Sequence, residues 1–507
     1  YAVIARGANA LTYGASTLRG AFDFISPTAR TTDPLSVYLS GGSYGLMSGR
    51  VTAGAVGDAL DGLITLEAKS YDGYRDHSEQ QRKGGYANLG WQMSDAVSTR
   101  FYATYIDNDE ELPRGLTLQQ IAEDPDQAAA SAITGDNRKD VKTARGAFKT
   151  TWQIDASSSL QFGLSYEEQS LYHPIVDVRG PDPDGPGPLL GPQLFSLLID
   201  TDHRTVGGMV RYQVKLGAHD LLLGLNYADT EVQGGSYGNL FGHRNGLMQR
   251  TRENADGIEA FAMDRWRIGD AITLVYGAQF VDTSRDVRVI DAASGATRNP
   301  KGNFSEVNPR IGVIYALAGA TEIFASVSRL FEAPTTFELQ DDVRQNNQLL
   351  DPMQGTVLEI GTRGATQRTE TTRWHWDVAV YYAKIDDEIL SVDEIDPDTN
   401  LPTGDSLSKN IEKTVHAGVE ALVGASFALN GDAHRLEPLV SLTVNRFSFD
   451  SDPVYGNESL PAAPTYAARG EVMYCHASGF YIGPTFDFIG KRYVDFANTA
   501  RVASYQL

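Results

Sequence analysis

Leu160-Gln161-Phe162-Gly163-Leu164-Ser165-Tyr166-Glu167 carries an apolar side chain at every even position and a small or polar one at every odd position. Successive side chains of a β-strand point to opposite faces, so this stretch makes a ribbon with one apolar and one polar side. The phase recurs where Trp374, Trp376, Val378, Val380 and Tyr382 alternate with His375, Asp377, Ala379 and Tyr381. It recurs again where Val440, Leu442 and Val444 alternate with Ser441, Thr443 and Asn445. A soluble sandwich alternates too, with its apolar side turned to a core. Strand number and the rhythm of the connections separate it from a barrel that faces lipid.

Working outward from these runs gives about 19 strands between positions 35 and 491. Short connections at 94–96, 154–157, 217–219, 269–270, 318–320 and 430–432 are rich in Gly, Asn and Asp, the usual turn formers. Long ones fall at 109–142, 171–201, 233–251, 290–303, 332–352, 389–407 and 451–464. Tight turns on one rim and long loops on the other are the asymmetry of an outer-membrane barrel. In 507 residues that are 41% hydrophobic, no apolar run reaches the roughly 18 residues of a membrane helix; alternating strands escape that test. The net charge of −22 argues against a nucleic-acid partner, which needs basic patches. The lone Cys475 allows no internal disulfide and reads as a strand residue.

The first 28 residues carry an apolar strand ending at Arg6-Gly7, the pair Tyr13-Gly14, then Ser16, Gly20 and a second apolar strand from Ala21 to Ile25. In this order they resemble the end of the plug of a TonB-dependent outer-membrane receptor. Similar family segments follow: Asp107 to Thr117, Asn308 to Tyr315 with Phe324 to Thr335, Leu358-Glu359-Ile360-Gly361, and Gly418-Val419-Glu420. The resemblance implies an all-β fold, a large antiparallel transmembrane barrel with the C-terminal remnant of a plug in its lumen. The domains are then 1–31, the end of the plug, and 32–507, the barrel without its last strands. The family's barrels have 22 strands, so the chain is read as an internal fragment with about three strands missing and an opening where they belong.

The resemblance also implies location in the bacterial outer membrane, contact with lipid and with the TonB-ExbB-ExbD complex, a monomer, no resident cofactor, and energised uptake of a scarce solute, a ferric siderophore foremost. Cobalamin, a saccharide, another metal complex and a siderophore-sensing transducer stay open as alternatives. The family's plug arginine commonly meets barrel glutamates, which assigns a lock between Arg6, Glu359 and Glu420. For the ligand, aromatic and cationic side chains in the long connections suit a flat anionic chelate: Tyr237, Phe241, His243, Arg244, Arg250 and Arg252 in one, Tyr172 and His173 in the one before. Aromatic residues near strand ends, among them Tyr38, Trp91, Trp152, Trp266, Trp374 and Tyr382, are expected in two interfacial girdles.

Other chemistry is poorly supported. Gly41-Gly42-Ser43-Tyr44-Gly45 and Gly234-Gly235-Ser236-Tyr237-Gly238 match the nucleophile-elbow pattern, but that elbow needs a following helix, and the local sequence reads as hairpin. No acid, base and nucleophile set assembles into an enzyme. The nine histidines include no close pair at metal-ligand spacing, so no metal site is expected.

Overall fold

The computed structural model describes residues 2–5, 12, 20–180, 191–317, 320–369, 371–395, 402–429, 431 and 433–507. Two short strands, β1 (Ala2–Ala5) and β2 (Ala21–Phe24), pair antiparallel with each other and not with the wall. The wall begins with β3 (Leu35–Gly41), β4 (Met47–Val56), β5 (Leu60–Tyr71), β6 (Gln80–Gln92) and β7 (Val97–Glu111). Helices α1 (Leu118–Glu123) and α2 (Ala130–Thr134) occupy the next connection. Then come β8 (Arg138–Gln153), β9 (Ser158–Arg179), β10 (Gln193–Leu216), β11 (His219–Leu240), β12 (His243–Ile268), β13 (Ile272–Asp291), β14 (Thr297–Arg298), β15 (Lys301–Ala316) and β16 (Ala320–Glu332). Helix α3 (Thr336–Gln340) precedes β17 (Met353–Thr369), β18 (Thr372–Ile395), β19 (Pro402–Ala428), β20 (His434–Phe449), β21 (Tyr466–His476), β22 (Tyr481–Ile482) and β23 (Thr485–Ile489). A small ribbon of β24 (Arg492–Tyr493) and β25 (Arg501–Val502) stands apart, and β26 (Tyr505–Gln506) rejoins the wall.

Among the described residues the wall is one closed antiparallel barrel of 22 segments. β14 continues β15 along β13, and β22 continues β23 along β21, so 20 strands wind round it. The expected opening is absent: β26 stands between β23 and β3 and completes the ring. Two residues carry no periodicity, which is why the sequence reading passed over this strand.

The outward face follows the alternation. On β9, Phe162, Leu164 and Tyr166 are exposed while Gln161, Ser165 and Glu167 turn the other way. Phe101, Leu223, Leu225, Ile258, Phe280, Val313, Ile360 and Val380 continue the exposed apolar band round the barrel. A protein in water rarely exposes more than a few hundred Å2 of contiguous apolar surface; a belt of this extent requires lipid. Its lower edge is aromatic. Trp91, Trp152, Trp266 and Trp374 lie within two residues of a strand end beside a short turn and are 36–45% exposed. Tyr105, Tyr166 and Tyr227 each stand eight residues further up their strands and are also exposed. Eight residues span about 26 Å along a strand, or about 20 Å of membrane depth at a tilt near 40°, comparable with a lipid-facing band roughly 25 Å tall. Tyr382 belongs to this upper ring, eight residues beyond Trp374, while exposed Tyr38 stands on β3 with the Arg50 guanidinium 5.5 Å from its ring centre.

Phe162 sits midway between the two rings, packed edge-on against Phe148. Phe162→Arg is expected to lower stability by about 2–4 kcal/mol in urea titrations from phospholipid bilayers, against less than about 1 kcal/mol for Gln161→Arg on the luminal side. Equal losses would remove the assignment of faces.

Above the upper ring the strands continue further than alternation suggests. β11 and β12 run for 22 and 26 residues, against the 9–11 that cross a bilayer. The stretch 233–251, expected as a loop, is a tall hairpin whose two-residue turn, Phe241-Gly242, has both φ values positive at 52° and 82°, as a primed hairpin turn requires. Likewise β18 and β19 extend through most of 389–407. Outside lipid both faces of a strand meet water or protein, so the ladder of backbone hydrogen bonds persists while side-chain alternation is no longer demanded. The two glycine-serine motifs prove to be wall: Gly41 closes β3 and Gly234 to Gly238 lie within β11, with no helix after either.

Candidate functional site: the luminal cavity and the mouth

The polar phase of the strands lines the lumen, and ion pairs organise it. Asp61 at the foot of β5 is 4% exposed and takes two bonds from Arg100, at 2.7 and 2.9 Å, and one of 2.8 Å from Arg30 Nε. Arg30 belongs to the segment that leads from β2 to the wall. Asn88 Nδ2 also donates to Pro27 O at 3.0 Å, and Arg211 donates to Thr12 O at 2.8 Å. Thr12, Pro27 and Arg30 are thereby held against the inside of the barrel.

Beside β2 lies a cavity of about 880 Å3. Gly20, Ala21 and Asp23 form one side; Tyr102, Arg145, Lys149, Arg211, Glu259 and Arg285 stand among the wall residues opposite. Each cation sits where the alternation puts polar side chains inward. Arg145 and Lys149 share a phase on β8, and Arg145 lies across from Glu167 at 3.8 Å, outside hydrogen-bond range. The Arg211 guanidinium rests 4.7 Å from the centre of the Phe261 ring. Arg285 is fixed by bonds to Pro334 O at 2.8 Å and to Thr283 Oγ1 at 2.6 Å, and burial pushes its pKa below the usual guanidinium value. Fixed cations around a water-sized to chelate-sized space can receive a planar anion through several donors at once.

None of the eight ligand residues expected from the sequence lines this cavity. Most gather instead at the tips of β9 to β12. The Arg244 guanidinium lies 5.3 Å from the Tyr237 ring centre and 3.0 Å from Asp200. Arg179 covers the Phe241 ring at 4.5 Å and pairs with Asp177 at 3.0 Å. Tyr172 donates to Gly242 O at 2.9 Å, with Arg138 5.5 Å from its ring centre. His243 and Arg250 are exposed. Arg252 stands lower, in the outward phase of Ile258, where it shares Glu231 with Arg204 at 2.7 and 2.9 Å. The luminal cations lie on strands and not in the long connections, and their signal in the sequence is the polar half of the same alternation.

His173 is part of the tip framework. Its Nδ1 lies 2.6 Å from Arg138 O; a carbonyl only accepts, so Nδ1 carries the hydrogen. Burial, aided by nearby Lys139, pushes its pKa below the usual imidazole value. With the folded value depressed, the stability this neutral ring contributes is fully present above the unfolded value near 6.5 and declines as pH falls below it. Amide exchange at the upper end of β9 is expected to speed up relative to the lipid band between pH 6.5 and 5, and His173→Gln is expected to remove that difference.

For the lock, Glu359 and Glu420 both take the luminal phase on β17 and β19, opposite outward Ile360 and Val419. Arg6 lies outside the described residues.

Comparison with known proteins places this architecture. The profile of the family described as "TonB dependent receptor-like, beta-barrel" matches residues 73–507. The ferric-pyoverdine BN7/BN8 receptor of Pseudomonas putida is 25% identical over 214 residues, 40% of this chain and 24% of that receptor's length. The ferric citrate transporter FecA superposes on the fold with a TM-score of 0.79 at 15% identity, covering 100% of this chain and 74% of the other. The copper transporter OprC does so with a TM-score of 0.77 at 16% identity, covering 100% and 76%. With the family's profile matched along most of its length and a closed, lipid-belted wall around an inner segment, the chain belongs to the TonB-dependent receptor β-barrel family of the outer membrane.

Proposed function

We propose that this protein takes up a scarce anionic metal chelate, a ferric siderophore foremost, across the outer membrane, with entry energised by the TonB-ExbB-ExbD complex. The observation that carries this reading is the cavity of about 880 Å3 beside β2, in which wall cations face a segment that is not part of the wall. A channel obstructed in this way cannot serve free diffusion of large solutes, so release has to be driven. The similarity to a ferric-pyoverdine receptor supports iron as the cargo. In this scheme residues 1–31 end a plug and 32–507 form the barrel, with Arg6 meeting Glu359 and Glu420 across the lumen. Tyr172, Tyr237, Phe241, Arg244 and Arg250 at the mouth make first contact, and Arg145, Lys149, Arg211 and Arg285 receive the chelate below.

Titration of the purified protein with ferric chelates of matched size and different charge tests the reading. Saturable binding that tightens with negative charge and weakens with salt is the expected result. Equal affinity for neutral complexes would point instead to a cobalamin- or saccharide-like cargo.

A further inference from the structure

Three acidic and imidazole side chains that are far apart in sequence meet above the lipid band. His77 lies in the connection between β5 and β6, Glu111 ends β7, and Asp136 stands between α2 and β8. One ligand atom from each lies within 4.8 Å of the other two. We propose that these residues form a binding site for a single divalent cation of the zinc class, which clamps the outer connections together. This goes beyond uptake: the cation is structural and is not the cargo.

The hydrogen bonding settles which atom of His77 is presented. Nε2 lies 2.9 Å from Asn137 O, an acceptor, so Nε2 holds the hydrogen and Nδ1 offers its lone pair. Metal-binding histidines are commonly oriented in this way, through a backbone carbonyl on the far nitrogen. Nδ1 faces Glu111 Oε1 at 3.5 Å. That is long for a charge-assisted hydrogen bond, which runs to about 2.7–2.9 Å. It fits the edge of a tetrahedron around zinc, about 3.3 Å when the bonds are 2.0–2.1 Å. Glu111 is steadied from behind, its Oε2 accepting from Glu79 N at 3.1 Å. Asp136 is oriented by Arg138, which touches Asp136 Oδ2 and pairs with Asp140 at 2.9 Å.

The frame is built without the cation. Arg75 donates to Gln127 O at 2.9 Å, Arg114 O at 2.7 Å and Pro113 O at 3.2 Å, and Asp76 N bonds Asp126 O at 2.7 Å. His77 and Asp136 both hold positive φ, 53° and 46°, a conformation that costs energy in these residues and persists only where surroundings enforce it. Beside the cluster, Asn137 is 1% exposed and both polar atoms of its side chain lack a hydrogen-bond partner, so bonding capacity is left over next to the three ligands. The donor set decides the ion. One imidazole and two carboxylates suit zinc with a fourth position left to water, whereas calcium and magnesium prefer oxygen alone. The clamp also reaches the mouth, because Gly135 O accepts from Asn239 Nδ2 at 2.8 Å next to the Phe241-Gly242 turn.

The test is calorimetric titration of the chelator-stripped, purified protein with zinc sulfate, with calcium chloride in parallel. One equivalent of zinc is expected to bind with a micromolar or tighter dissociation constant, and calcium to bind at least about a hundredfold more weakly. His77→Ala and Glu111→Gln are each expected to weaken zinc binding about a hundredfold or more, beyond the 10–100-fold of outer-shell changes, while His476→Ala on the opposite rim leaves it unchanged. Zinc should also raise the melting temperature of the unaltered protein, which keeps the test valid if a variant folds poorly. Absence of one-site zinc binding in the unaltered protein, or undiminished affinity in both His77→Ala and Glu111→Gln, would overturn the proposal.

Discussion

Asp61→Ala is expected to destabilise the barrel by about 3 kcal/mol and to free the segment that joins β2 to β3. The carboxylate is almost wholly buried and neutralises two guanidinium groups, Arg100 through two bonds and Arg30 through one. Removing one member of a buried ion pair leaves an uncompensated charge and costs about 3–5 kcal/mol. The lower end applies because the Arg30 side chain is 42% exposed and recovers part of its hydration. Asp61→Asn keeps one acceptor oxygen and should lose less. Urea unfolding from bilayers measures the first effect and limited proteolysis near Arg30 the second. A loss under about 1 kcal/mol with unchanged cleavage would mean that water already compensates these charges.

Reversing the luminal cations is expected to abolish capture while leaving the barrel intact. Arg145 and Lys149 face the cavity from β8, and Glu167 approaches Arg145 only to 3.8 Å, short of a hydrogen bond. Two unit charges 4 Å apart interact by between about 1 and 4 kcal/mol, depending on how much water screens them. Replacing both cations by glutamate turns attraction into repulsion twice, so affinity for an anionic ferric chelate should fall at least about a hundredfold, or 2.7 kcal/mol. The unaltered β-sheet circular dichroism of the variant would show that the loss is local. Undiminished affinity would move the binding site away from the cavity.

How much of this was legible in the residues depended on what each segment faces. Where strands lie between lipid and lumen, as in Leu160 to Glu167, alternation gave phase, direction and short turns together. Above the aromatic ring that constraint lapses, so Tyr237 to Arg252 reads as loop although it is hairpin, and the ligand candidates there and at Tyr172 and His173 fall on strand tips. The luminal Arg145, Lys149 and Arg211 were visible as the polar half of known strands, yet nothing in one strand says which neighbours it meets across the lumen. His77, Glu111 and Asp136 show the limit most clearly, since their spacing follows no motif and only the folding of two connections against β7 unites them. The closing strand at Tyr505–Gln506 is too short for any period. The reading of residues 1–31 as the end of a plug rests on family resemblance and not on physics, because a few glycines and small strands carry no periodic signature.

Driven, selective transport is the core of the proposed function. The most direct measurement is accumulation of radioactive iron, supplied as an anionic siderophore chelate, in cells that carry the gene for this protein and in cells that lack it, with and without an agent that collapses the proton gradient. Saturable accumulation that needs the protein and ceases when the gradient is lost is the expected result. Accumulation that rises linearly with chelate concentration and persists without the gradient would contradict it.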